Sequence, residues 1–185
     1  AADSQPAAPS PVELAREGNA LLPIVVAQES DEKLISLASE LKGHLDRITG
    51  SHFEIVTKPL AEVTAKPQSS AIVLGTRGQF PDLLPEPVKA EAPTWKERYR
   101  LLTKNGSLFL IGETALAVQD AVFDLLHTLG YRQFFPHPAW EIVPHSPSLS
   151  LTLDRTEEPG FATRYMFYGN VTDKRLVQIF GINKI

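Results

Sequence analysis

The stretch "RYRLLTKNGSLFLIG", residues 98 to 112, constrains the fold more than any other part of the sequence. It contains two strand-like runs that are separated only by Asn105 and Gly106. Both residue types tolerate the positive backbone φ angles that a type I′ turn requires at its two central positions. The sequence therefore predicts a tight antiparallel hairpin in the second half of the chain.

Two amphipathic helices are predicted, one on each side of this hairpin. The first runs from Ser30, as its N-cap, to Gly50, as its C′ residue, and its apolar side chains recur every three or four positions. The second runs from a capping Thr114 to Gly130 with the same spacing. Because each helix has a single apolar stripe, each is expected to pack one side against a sheet.

Further strands are predicted from short apolar or alternating runs at residues 21–28, 52–57, 70–76, 131–135 and 148–154. The run at 70–76 is apolar enough to be a central strand that is covered on both faces. The predicted fold class is α/β, in the form of an α+β sandwich. It combines a mixed β-sheet that contains an antiparallel hairpin with helices packed mainly on one face.

The chain of 185 residues is divided by its composition into three parts. Residues 1–19 are predicted to be a disordered tail, residues 20–154 one α/β domain, and residues 155–185 a polar linker followed by the start of a truncated domain. The first ten residues, "AADSQPAAPS", are typical both of the end left by signal-peptide cleavage and of a plain disordered tail.

Composition excludes several classes of function. A net charge of −4 argues against nucleic acid as a partner, since that affinity needs a concentrated basic face. The chain has no cysteine, which rules out disulfides, thiolate nucleophiles and cysteine zinc sites. No apolar run approaches the roughly 20 residues that span a bilayer, so no membrane partner is expected. The histidines lack metal-ligand spacing, and neither a metal nor a cofactor is predicted.

The sequence motifs do not predict a catalytic residue. The turn "LGTRG" at 74–78 lacks both the dinucleotide and the P-loop spacing, and Gly75 and Gly78 are interpreted as giving the backbone freedom for a tight exit from a strand. The adjacent Glu157 and Glu158 are interpreted as a solvated turn and not as the paired carboxylates of a glycosidase.

The stretch "LGYRQFFPHPAWEIVP", residues 129–144, concentrates aromatic rings. Buried aromatic side chains are first of all core material, so the rings are interpreted mainly as a fastening between the second helix and the sheet. Rings can also stack on sugars, and a ligand role falls on Trp140 and His137 at the expected exposed turn.

The order of these segments resembles the N-terminal accessory domain of glycoside hydrolases of the α-glucuronidase and β-hexosaminidase type. The segments are "IVLGT", the hairpin and second helix, "WEIVP" and "LSLTLDRTEEPGFATR", and the resemblance covers about residues 20–168. The residues that match the pattern of this family are Tyr99, Leu101, Gly106, Leu108, Leu110, Gly112, Leu129, Gly130, Arg132, Pro136, Pro159, Phe161 and Arg164. The hexosaminidase pattern has a second arginine where this chain has Thr172, which leaves the glycan class open.

The resemblance implies a secreted or periplasmic bacterial protein in which this domain packs against its own C-terminal catalytic (β/α)8 barrel. The catalytic acids would come from that barrel, and Arg164, on its first strand, would reach the substrate cleft. The first hypothesis is therefore a non-catalytic domain that supports a missing barrel in a glycoside hydrolase-like parent. The alternative is a stand-alone glycan- or peptidoglycan-binding module that uses Trp95, Trp140 and neighbouring aromatic residues. The sugar, the linkage, the oligomeric state and the activity of the parent protein stay open.

Overall fold

A six-stranded mixed sheet forms the centre of the fold in a computed structural model that describes residues 9–65, 70–86, 96–135 and 137–160. The strands are, in chain order, β1 (Val12–Arg16), β2 (Asn19–Ala20), β3 (Ile24–Ala27), β4 (Ile55–Lys58), β5 (Ile72–Thr76), β6 (Tyr99–Lys104), β7 (Ser107–Gly112), β8 (Arg132–Gln133), β9 (Glu141–Ile142), β10 (Leu149–Leu151) and β11 (Asp154–Glu157). The helices are α1 (Glu32–Thr49), α2 (Leu60–Thr64) and α3 (Ala115–Thr128).

The central sheet has the strand order β11-β6-β7-β5-β3-β4. Strands β7, β5, β3 and β4 are parallel, whereas β6 is antiparallel to β7 and β11 is antiparallel to β6. The predicted hairpin is confirmed as β6 and β7. Its turn residues Asn105 and Gly106 have φ angles of 51° and 75°, and both values are positive as a type I′ turn requires.

The two long helices lie on the same face of this sheet. Inward-facing side chains of α1 and α3 form the main core with one side of β3, β5, β6 and β7. The opposite face carries a smaller apolar cluster, in which Phe80 and Leu84 are buried and Val63 of the short helix α2 is partly buried. The predicted α+β sandwich, with helices mainly on one face, is therefore confirmed.

The ends of the helices follow ordinary capping chemistry, with one difference from the prediction. Helix α1 is capped by Asp31, whose carboxylate accepts from the amide of Leu34 at 2.9 Å, and not by Ser30. The hydroxyl of Ser30 instead accepts from the side-chain amide of Gln79 at 3.1 Å. Gly50 ends the helix with a φ of 71°, as predicted.

Helix α3 has the predicted N-cap, Thr114, whose hydroxyl accepts from the amide of Ala117 at 3.3 Å. Gly130 follows the helix with a φ of 96°. The guanidinium of Arg132 then donates to the carbonyl of His127 at 2.7 Å. A cation placed there satisfies a carbonyl of the last turn and interacts well with the helix dipole.

The prediction of a disordered tail over residues 1–19 is wrong for residues 12–16. These residues form β1, which is antiparallel to both β10 and β2. Val12, Leu14 and Ala15 are buried in the main core. The pairing of β1 with β10 joins segments far apart in the sequence, and a five-residue strand has too short an alternation to reveal such a contact.

The predicted linker from residue 155 is wrong for residues 155–157, which belong to β11 and pair with β6. Arg155 of this strand donates to Asp124 of α3 at 2.6 Å, and the hydroxyl of Tyr99 donates to the other oxygen of that carboxylate at 3.1 Å. Burial, and then the charge of Asp124, raise the pKa of Tyr99 far above its usual value, so its hydroxyl stays protonated and can donate. Asp124 thus fastens the edge of the sheet to α3.

Candidate functional site

Four large hydrophobic side chains lie exposed around the β8–β9 hairpin, and we call them the aromatic patch. Phe134, Phe135, Trp140 and Ile142 are 52%, 39%, 54% and 53% exposed. The rings of Phe135 and Trp140 meet edge to face, with their centroids 5.4 Å apart. The interpretation of these rings as a fastening between helix and sheet is therefore wrong for Phe134 and Phe135. Tyr131 does have that role, since it is 1% exposed and belongs to the main core.

The hairpin holds these rings in place through its own backbone. Strands β8 and β9 form a separate two-stranded sheet, so the strand predicted at residues 131–135 does not join the central sheet. The amide of Phe134 donates to the carbonyl of Trp140 at 3.0 Å. His137 caps the 3₁₀ turn Pro138–Trp140, because its Nδ1 accepts from the amide of Ala139 at 3.1 Å. Since Nδ1 accepts in this contact, the imidazole N–H is on Nε2.

An ion pair fixes the hairpin to helix α1. Arg47 donates to both carboxylate oxygens of Glu141, at 2.9 and 2.6 Å, and the hydroxyl of Tyr131 donates to Glu141 at 2.7 Å. The hydrogen bonds from Arg47 lower the pKa of Glu141, and those to Glu141 raise the pKa of Arg47. A bidentate pair restricts orientation as well as distance, so the aromatic patch is presented in a defined position.

Beside the hairpin, the outer side of α1 contains a shallow groove of about 300 Å³. Its lining residues are Ser39, Glu40, Gly43, His44 and Arg47. A β-carbon added at Gly43 would meet no atom within 4 Å, so this glycine forms an open recess. Because Arg47 both lines the groove and binds Glu141 of β9, the groove and the aromatic patch adjoin across this ion pair.

The structure describes two of the four residues that the sequence predicted for a site. Trp140 and His137 come together in the hairpin, both exposed, and the sequence predicted both of them. Arg164 and Trp95 lie outside the described residues. In the described part of the chain, no group of three histidine, cysteine or acidic side chains could hold a metal ion. None of the described helices is both long and apolar enough to cross a bilayer.

The glycine-rich turn after β5 does not have the role predicted for it. Gly75 does not adopt a positive φ, but a β-carbon there would lie 2.3 Å from the ring of Phe80. The side chain of Gln79 accepts from the amide of Thr76 at 3.0 Å. The chain's own side chains therefore occupy the space at the carboxyl end of β5, and Gly75 is needed for close packing.

Sequence reasoning missed a charged cluster at the carboxyl ends of β5 and β7. The carboxylate of Glu113, whose side chain is 4% exposed, pairs with Arg98 at 2.7 Å and lies 3.7 Å from Arg77. Arg98 also donates to the carbonyl of Pro85, and Arg77 contacts Glu86. The register of the hairpin could have indicated this cluster. Tyr99 pairs with Gly112 at the open end of the hairpin, so Arg98 and Glu113, the residues that flank this pair, lie opposite each other.

Comparison with known proteins finds similarity at the level of solved structures. The chain is similar to a GH20 β-N-acetylhexosaminidase from Streptomyces coelicolor A3(2), with a TM-score of 0.48 and 19% identity over 83% of this chain and 24% of that one. It is also similar to an inactive mutant of a GH20 exo-β-N-acetylglucosaminidase from Vibrio harveyi, with a TM-score of 0.45 and 13% identity over 84% of this chain and 18% of that one. A third similar structure is an N-acetyl-β-hexosaminidase from Streptomyces plicatus, with a TM-score of 0.46 and 18% identity over 82% of this chain and 24% of that one.

The chain spans about a quarter or less of the length of these structures. No protein-family model and no curated protein matches the sequence.

Replacing Glu141 with glutamine should lower the free energy of unfolding by about 1 kcal/mol at neutral pH, because it removes a partly exposed bidentate ion pair. The pKa of Glu141 in the folded state is below its ordinary value of 4.5. The stabilisation that ionised Glu141 gives to the folded state is therefore fully present above pH 4.5, and it is lost as the pH falls through the folded-state pKa. Urea unfolding from pH 7 to pH 3 should show the difference from the unsubstituted protein shrinking in acid. The exposed Glu54→Gln serves as the control, and an equal loss at both pH values would contradict this assignment.

Proposed function

We propose that this chain is the non-catalytic N-terminal domain of a secreted or periplasmic, carbohydrate-active protein of the glycoside hydrolase type, where it supports a catalytic barrel. The observation that carries the proposal is the structural use of the residues that match the accessory-domain pattern. Four of the pattern residues, Tyr99, Gly106, Gly112 and Arg132, each have a physical task in this fold, and this supports the match in the sequence.

The tasks of these residues are distinct. Tyr99 donates to Asp124 of α3, and Gly106 provides a left-handed position in the hairpin turn. Gly112 leaves room for the first turn of α3, since a β-carbon there would come within 2.6 Å of the amide nitrogen of Val118. Arg132 binds the last turn of the same helix. The pattern therefore describes one hairpin with the helix that follows it.

Within this proposal Arg164 would belong to the first strand of the barrel and reach the substrate cleft. The domain itself would supply a rigid support and not the reacting groups. The catalytic carboxylates would come from the sequence that follows.

A second candidate is a glycan-binding module, and the exposure of Trp140 favours it. The ring is 54% exposed and is held against Phe135, while the Nε2 of His137 lies in the same turn. Aromatic faces pack against the C–H faces of sugars, and a neighbouring donor can bind a hydroxyl. In this reading the aromatic patch would be the binding site itself.

Two measurements on the 185-residue chain separate these functions. Glycosidase assays with aryl glycosides should give no turnover above background, and calorimetry with oligosaccharides should give no measurable heat of binding. Clear turnover would overturn the accessory role. Affinity that is lost in Trp140→Ala, with an unchanged circular dichroism spectrum, would favour the glycan-binding module. The Leu21→Ala variant is a suitable control, because Leu21 is also exposed, at 45%, and lies outside the aromatic patch.

A further inference from the structure

We infer that Asn105, in the two-residue turn of the β6–β7 hairpin, is a site of spontaneous deamidation, at which the side-chain amide is lost and the main chain is rerouted through the side chain. The attacking group is the backbone nitrogen of the next residue. Of the four asparagines in the sequence, Asn105 alone is followed by glycine. Because glycine has no β-carbon, the nitrogen of Gly106 is the least hindered that a following residue provides. The modification is independent of the proposed function.

The reaction consumes only water. The backbone nitrogen of Gly106 gives up its proton and bonds to the Cγ of Asn105, while the bond from Cγ to the side-chain nitrogen breaks and ammonia leaves. The product is a five-membered succinimide. Water then opens it at the side-chain carbonyl, which gives aspartate, or at the main-chain carbonyl, which gives isoaspartate. Either product has exchanged ammonia for water and carries one more negative charge at neutral pH.

Deamidation in the folded chain requires the turn to open. A type I′ turn holds the ψ angle of its first central residue near about 30°. At this angle the Cβ of Asn105 and the nitrogen of Gly106 lie on opposite sides of the Cα–C bond, so the nitrogen is too far from Cγ to react. Asn105 is exposed, and its ψ angle is free to rotate once the last pair of the hairpin, Lys104 with Ser107, separates. The ends of elements open at a much lower free energy than the core.

Two contacts of the turn oppose this opening. The hydroxyl of the buried Ser107 accepts from the amide of Ala71 at 3.1 Å. A β-carbon at Gly106 would lie 2.5 Å from the Oγ of Ser70, so the turn packs directly on the segment that leads into β5. The rate of deamidation in the folded chain is therefore set by how often these contacts separate.

The two products have different consequences for the hairpin. Aspartate leaves the main chain unchanged and tolerates a positive φ, so it keeps the turn. Isoaspartate adds one atom to the main chain between Asn105 and Gly106. A two-residue connection of that length no longer matches the pairing of Lys104 with Ser107, and the bond from Ala71 to Ser107 is lost with it. Formation of isoaspartate thus makes the opening of the turn irreversible.

The test stores the 185-residue chain in mildly alkaline buffer, folded or in urea, and follows each asparagine by peptide mass spectrometry. In the folded chain Asn105 should be converted about tenfold faster than Asn19, which is also exposed but precedes Ala20. An isoaspartate-specific methyltransferase then measures the share of isoaspartate. Conversion in urea should be faster than in the folded chain, because no turn has to open.

A substitution beside the turn tests the role of its contacts. Ser107→Ala removes the acceptor of the Ala71 amide, so it should speed conversion of Asn105 in the folded chain about fivefold and leave the rate in urea unchanged. The matched control is Ser39→Ala, which removes a hydroxyl from α1 and should not alter the rate. Circular dichroism checks that both variants are folded.

Several results would overturn the inference. One is an intact Asn105 in the folded chain after the chain in urea has been converted. Another is a rate at Asn19 equal to that at Asn105. Equal rates for Asn105 in the folded chain and in urea would contradict the closed turn. The last test separates the products: Asn105→Asp should unfold at the urea midpoint of the original chain, and the purified isoaspartate form at a lower one. Equal midpoints for all three would show that isoaspartate leaves the hairpin intact.

Discussion

Replacing Gly112 with alanine should destabilise the domain by about 3 kcal/mol. The new β-carbon would lie 2.6 Å from the amide nitrogen of Val118 and 2.8 Å from the carbonyl carbon of Ala117. Both atoms belong to the backbone of the first turn of α3, so no side-chain rotation can relieve the overlap. Either α3 or the end of β7 must move, and both are held by the core.

Urea unfolding measures this effect as a lower midpoint at an unchanged slope. The matched control is Gly43→Ala, because that position lies in the middle of α1 and the added methyl group would meet nothing within 4 Å. Alanine is favoured over glycine in a helix by about 1 kcal/mol, so this variant should be more stable than the original chain. If Gly112→Ala stayed within about 0.5 kcal/mol of the original chain, the close approach of β7 to α3 would be contradicted.

The sequence predicted the elements whose determinants are local. The hairpin follows from Asn105 and Gly106, whose conformational preferences need no distant partner. The capping of α3 by Thr114 and the end of α1 at Gly50 are likewise decided within one helical turn. The choice of Asp31 over Ser30 was the exception, since two adjacent residues could each cap the helix and a contact with the distant Gln79 uses Ser30.

Elements that depend on distant pairing could not be predicted in the same way. Strand β1 exists because β10 lies beside it, and β11 exists because β6 offers a free edge. Neither segment has a periodic pattern strong enough to predict a strand by itself. A polar strand at the edge of a sheet is especially hard to recognise, because its backbone is paired while its side chains stay in solvent.

The candidate site was predicted in part, for a similar reason. Trp140 and His137 were expected at an exposed turn, and both lie there. Phe134 and Phe135 were expected in the core because aromatic residues are usually buried, but β8 pairs with the short β9 instead of the central sheet. Residue type alone does not indicate which sheet a two-residue strand will join. The exposure of these two rings is decided by the tertiary structure, so it could not be predicted from the sequence.

Replacing Glu113 with glutamine should cost about 3 kcal/mol, the second large effect that we expect. Glu113 lies between Arg98 and Arg77, and the side chains of Glu113 and Arg98 are 4% and 7% exposed. Removing the carboxylate charge leaves the buried guanidinium of Arg98 without its counter-ion, and the loss of a buried charge partner is much more destabilising than the loss of an exposed one.

Glu86→Gln is the matched control, because Glu86 also contacts Arg77 but its side chain is 78% exposed. A surface pair of this kind contributes between about 0 and 1 kcal/mol, so the control should unfold close to the original chain. The double variant Arg98→Met with Glu113→Gln removes both buried charges and should be more stable than the sum of the two single losses predicts. If the two losses were simply additive, Glu113 would not be acting as the counter-ion of Arg98. The cluster would then stabilise the ends of β5 and β7 through packing alone.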